Sequence, residues 1–150
     1  MRAYVSCAAV VLVLSSLLLA SSDPADKLKA RADAAHGGDQ AKLCLEYARV
    51  ELENSNALFT DGQVDKGQAA IGEVVDYSRK GAEAAATSGK QLKETEIKLR
   101  KLGERMHDIG QSLAFEDRPL VKQALDELEH IRADLIVKMW GQQAEPKGKS

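Results

Sequence analysis

The sequence predicts an all-α protein: an up-and-down bundle of four long helices plus a short N-terminal helix, preceded by a signal peptide. Three observations predict it. Only three prolines occur in 150 residues, at 24, 119 and 146, and no stretch alternates apolar and polar residues over a strand's length. Apolar residues instead recur three and four apart between breaks marked by glycine or proline. The alternative arrangement of the same helices is an open stack of helical hairpins.

Residues 1–22 carry one charge, Arg2, followed by an apolar run from Val5 to Ala20 that only Ser6, Ser15 and Ser16 interrupt. A positive start and an apolar stretch of this length have the form of a secretory signal. Ala20 and Ser22 supply the small residues a signal peptidase accepts, so cleavage after Ser22 starts the mature chain at Asp23. The competing reading is an uncleaved N-terminal anchor, since the run is nearly long enough to span a bilayer. Membrane attachment is expected only in that case. Cys7 lies near the start of the apolar run instead of following it, which argues against a lipoprotein attachment site.

Asp23 and Pro24 offer an N-cap and a first-turn proline, and Ala25, Leu28, Ala32 and Ala35 then recur until Gly37-Gly38 stops this short helix. Asp39 is the expected cap of a second helix, with Ala41, Cys44, Leu45, Ala48, Leu52 and Phe59 on one face and Asp61-Gly62 at its end. A second apolar row on this helix, Leu43, Val50 and Ala57, predicts contact on a second side, with the first helix or with another protein. The third helix shows Val64, Ile71, Val74, Val75, Ser78, Ala82 and Ala85, and ends at Thr87-Ser88-Gly89. Gly67, Gly72 and Gly81 within it each cost about 1 kcal/mol relative to alanine, so close helix approach or local mobility must account for them.

The fourth helix has the clearest pattern. Leu92, Leu99, Met106 and Leu113 are spaced by seven, and Thr95, Leu102 and Ile109 interleave as a second row, a heptad pattern suited to self-association. Glu116-Asp117-Arg118-Pro119 then turns the chain, with Asp117 the expected cap of a fifth helix whose core reads Val121, Ala124, Leu125, Leu128, Ile131, Leu135 and Met139. Trp140 and Gly141 are expected to close that helix, with Trp140 against the core; the alternative is that Met139-Trp140 anchors a partner or a membrane surface. The domain therefore covers 23–140, and 141–150 reads as a disordered tail. Connections of a few residues between helices of roughly 30 to 39 Å force successive helices to run antiparallel.

Composition narrows function more by exclusion than by assignment. Without Arg2, 20 basic residues stand against 23 acidic ones, a formal charge of −3, and no basic stripe offers itself to phosphates. Nucleic acid is therefore not an expected partner. Cys44 is the one thiol after residue 22, so no internal disulfide is available, and its place on an inward face reads as a small apolar residue, the alternative being a thiol that reacts or pairs with another chain.

The sharpest chemical pattern is a pair of Glu-x-x-His spacings, Glu104 with His107 and Glu127 with His130, of the kind ferritin-like bundles use for a two-metal site. Such a site needs both motifs turned inward. The core rows of these helices leave Glu104, His107 and His130 outside and Glu127 at the flank, so surface charge is the expected reading and no metal or cofactor is assigned. Haem fares no better. There is no Cys-x-x-Cys-His, and Met106, Met139 and His36 offer at most a noncovalent ligand pair. No serine or cysteine stands in a recognisable catalytic arrangement with a histidine, and no glycine-rich loop joins a strand to a helix. The expectation is an exported, periplasmic or secreted, non-catalytic binding or scaffolding protein that acts through helix faces. A metal- or haem-binding bundle of the cell envelope is the alternative.

Overall fold

The structure, a computed structural model, describes residues 23–144. The expected signal segment and the last six residues of the tail lie outside the described residues. Within them the chain is all-helical, in the order α1 (Pro24–Ala34), α2 (Gly37–Thr60), α3 (Val64–Ser88), α4 (Leu92–Ser112) and α5 (Arg118–Ala144).

The breaks follow local chemistry. Asp23 caps α1 by accepting from the Ala25 N–H at 3.1 Å, with Pro24 in the first turn. Ala35 and His36 are extended, and Gly37 at φ +59° reverses the chain into α2. Asp39 thus lies inside the first turn of α2 instead of capping it, where its charge still suits the helix N-terminus. The glycine pair opens the helix, whose N-cap His36 stands three residues before the expected Asp39. After α2, Gly62 at φ +73° lets the Gln63 N–H reach the Leu58 carbonyl at 2.8 Å. Asp117 immediately precedes α5, and its N–H closes a turn on the Ala114 carbonyl at 3.1 Å.

Direction alternates along the chain, as short connections require. The bundle is built by setting the hairpin α2–α3 beside the hairpin α4–α5, so that α2 neighbours α4 and α3 neighbours α5, each pair parallel. Cross-seam ion pairs mark these contacts, Glu53 with Arg105 at 2.8 Å and Arg79 with Glu127 at 3.1 Å. The shared core contains Leu45, Leu52, Ile71, Val74, Leu99, Met106, Ile109 and Leu128, all 2 % exposed or less. Both heptad rows of α4 point into it except Leu92, which is half-buried, so the face expected to favour self-association is covered within the chain.

Close approach explains two of the three α3 glycines. A Cβ on Gly81 would stand 3.2 Å from the Ala41 carbonyl oxygen, and one on Gly67 would stand 3.0 Å from the Phe59 ring. Gly72 faces open space. The end of α5 differs from expectation. The helix runs past Gly141 to Ala144, and Trp140 is 68 % exposed instead of closing the core. Five residues separate it from buried Leu135, which at 3.6 residues per turn rotates the indole by about 140° away from the core row.

Candidate functional site

The structure places Glu104, His107 and His130 on exposed surface and Glu127 half-buried, as the inward rows of α4 and α5 dictate. The two motifs do not converge. Glu104 accepts from Arg100 at 2.9 Å, Glu127 from Arg79 at 3.1 Å, and the His130 ring sits 2.7 Å from the Asp126 carbonyl. These carboxylates are engaged by cations on different sides of the bundle. Among the described residues no group of three or more His, Cys, Asp or Glu side chains is arranged to hold a metal ion. Met106 is fully buried in the apolar core, Met139 packs against it, and His36 is exposed at the α1–α2 break.

A polar cluster absent from the sequence expectations joins α1 to the first hairpin. Tyr47 and Tyr77 meet edge to face with ring centroids 4.5 Å apart, and Lys29 of α1 lies within 5.7 Å of both ring centres. Lys29 pairs with Glu73 at 2.7 Å, and the Tyr47 hydroxyl donates to the same carboxylate at 3.1 Å. Farther along, Asp33 accepts from Tyr77 at 2.9 Å and pairs with Lys80. The hydrogen bond from Lys80 holds the Asp33 carboxyl below the usual carboxylate range, and the bond to Glu73 raises the Lys29 ammonium. Burial is the main cause that pushes both tyrosines well above their ordinary range.

This cluster seats α1, which fully buries only Ala32 and half-buries Ala25 and Leu28. It therefore covers the side of α2 that runs through Tyr47. Of the second apolar row, Leu43 and Val50 are half-buried and Ala57 is exposed. Two of the three tyrosines lying three residues from core positions Cys44 and Val74 were the available signal for this contact. Cys44 itself is fully buried, and burial pushes its thiol up to about 11.

A cavity of about 410 Å³ lies in the seam between α2 and α4, and another of about 400 Å³ lies between α4 and α5, lined by Glu104, His107, Asp126 and Glu129 among others. Leu45, Leu52 and Leu102 lie at the base of the first, each 4 % exposed or less, and charged side chains from both helices form its walls, their aliphatic stems supplying most of its open apolar surface. Arg105 grips Glu53 through two parallel bonds of 2.8 Å, which holds the Glu53 carboxyl below its usual range. Lys98 pairs with Glu94 at 3.0 Å along its own helix. Arg49 and Lys101 make no ion pair among the described residues. Long charged side chains, not apolar ones, occupy the facing positions at the edge of this trough.

Nothing in this arrangement forms a nucleophile with a base, or a pair of carboxylates set apart for acid and base roles. What it offers is shape, an apolar lining and fixed charge. Among the described residues no helix is long and apolar enough to cross a membrane. Compared with known protein families, with curated proteins and with solved structures, the chain finds no match.

Proposed function

We propose that this chain is an exported, non-catalytic helical binding or scaffolding protein that engages a protein partner through the trough between α2 and α4. The observation that carries the reading is the trough itself: a cavity of about 410 Å³ between α2 and α4, with leucines at its base and charged side chains on both walls. Its walls stand on regular helix, so the surface is pre-organised and little ordering entropy opposes docking. Export is supported by the sequence pattern of residues 1–22.

Site-specific photo-crosslinking tests the reading. A benzophenone side chain at position 101, on the trough wall, is expected to capture a discrete protein saturably in the native compartment, while the same group at exposed position 133 on α5 captures none. Equal capture from both positions, or none from 101, would overturn it. Mass spectrometry of the exported chain is expected to find Asp23 at its N-terminus. A chain retained at Met1 would contradict cleavage.

A further inference from the structure

Resting on the binding role proposed for this trough, we infer that its partner presents an acidic amphipathic segment, with apolar side chains entering between α2 and α4 and carboxylates reaching Arg49 and Lys101. The two parallel seams of the bundle supply the contrast behind this inference. The α3/α5 seam holds cavities of about 120 and 270 Å³; the charged lining of the first is balanced, Arg79 and Lys138 against Glu83 and Asp134, and that of the second is acidic, Asp76 and Glu127, with Arg79 bridging to Glu127. The α2/α4 trough is larger, and its lining carries Arg49, Lys98, Lys101 and Arg105 against Glu46 and Glu53, two positive charges in excess. That excess sits on a chain whose formal charge is −2.

Internal pairing removes some of these charges from recognition. Glu53 is satisfied by Arg105 and Lys98 by Glu94. Arg49 on α2 and Lys101 on α4 remain on opposite walls with no ion pair among the described residues, and Glu46 is the remaining wall carboxylate. Opposed cations whose aliphatic stems line the trough above the nearly covered leucines match a segment whose carboxylates flank one or two aliphatic side chains. The walls run from Leu45 to Glu53 and from Lys98 to Arg105. Eight residues of helix rise about 12 Å, enough for roughly two turns of a docked helix or four residues of extended chain.

A displayed library of random peptides of about twelve residues, selected on the purified chain, tests this. Selected peptides are expected to be net acidic, to carry apolar residues between carboxylates, and to lose at least tenfold in affinity on the double variant R49E/K101E. Both positions lie on the walls, so circular dichroism is expected to show the variant folded. Peptides with the same apolar pattern and basic flanks are expected to favour that variant over the parent chain. Selection of neutral or basic peptides, unchanged affinity on R49E/K101E, or no enrichment at all would overturn the inference. Crosslinking from position 101 to a partner whose contacting segment is not acidic would refute the charge assignment while leaving the binding role intact. Failure of that crosslinking would remove the role itself.

Discussion

Replacing Gly81 and Gly72 by alanine, separately, makes the same chemical change on one helix with opposite expected signs. Alanine gains about 1 kcal/mol of helix propensity at each position. At Gly72 the new methyl meets nothing within 4 Å, so the gain is expected in full, a stabilisation of up to about 1 kcal/mol. At Gly81 the methyl would lie 3.2 Å from the Ala41 carbonyl oxygen and 3.3 Å from the Cys44 Cβ, both near the α2 backbone. Neither obstacle can swing aside as a side-chain tip could. Overpacking of this kind costs about 1–3 kcal/mol, so the propensity gain is overcome and a net loss of about 1 kcal/mol is expected. Thermal unfolding followed by circular dichroism should show a shift of about 4 °C for each kcal/mol, upward for Gly72→Ala and downward for Gly81→Ala. Equal shifts of the same sign would refute the close packing of α2 on α3.

Three further expectations follow from buried groups and from the seat of α1. Ser78 is fully buried and its hydroxyl has no hydrogen-bond partner among the described residues, so Ser78→Ala is expected to leave stability unchanged or raise it by about 1 kcal/mol; a loss in urea denaturation above that size would reveal a partner. Cys44, enclosed and with its thiol pushed up to about 11, is expected to resist alkylation at pH 8 until the chain unfolds, and rapid labelling of the native protein by iodoacetamide would contradict its burial. Because Asp33 is lowered, its stabilising contribution is full above the ordinary carboxylate range and is lost as pH falls through the lowered value. Because Lys29 is raised, its contribution is full below its ordinary range and is lost as pH climbs through the raised value. Hydrogen-exchange protection of α1, corrected for intrinsic rates, should therefore hold from about pH 5 to 10 and fall beyond both ends, and a profile flat to pH 3 would refute the electrostatic seat.

The helical framework was legible because its signals are periodic. The sevenfold spacing from Leu92 to Leu113, with Thr95, Leu102 and Ile109 between, allows only one inward face, and that face is the buried one. The same geometry put Glu104 and His107 outside without reference to coordinates. Trp140 shows the limit of reading residue type without angle, since its rotation from Leu135 was already implicit in the numbering. The Tyr47–Tyr77 cluster was less accessible, because it depends on which polar residues of α1 reach which helix, and no periodicity specifies that. The α2/α4 trough was hidden for a related reason. Its walls are ordinary exposed Lys, Arg and Glu in the sequence, and they become a site only once parallel hairpin packing brings residues 46–53 beside 98–105.

Amide chemical shifts of the isotope-labelled chain, recorded as a selected acidic peptide is added, probe that trough most directly. Binding there is expected to move resonances along 45–53 of α2 and 98–105 of α4, with those of 130–140 on α5 left in place. Shifts confined to α1 or the outer face of α5, or none at saturating peptide, would contradict a partner surface between α2 and α4.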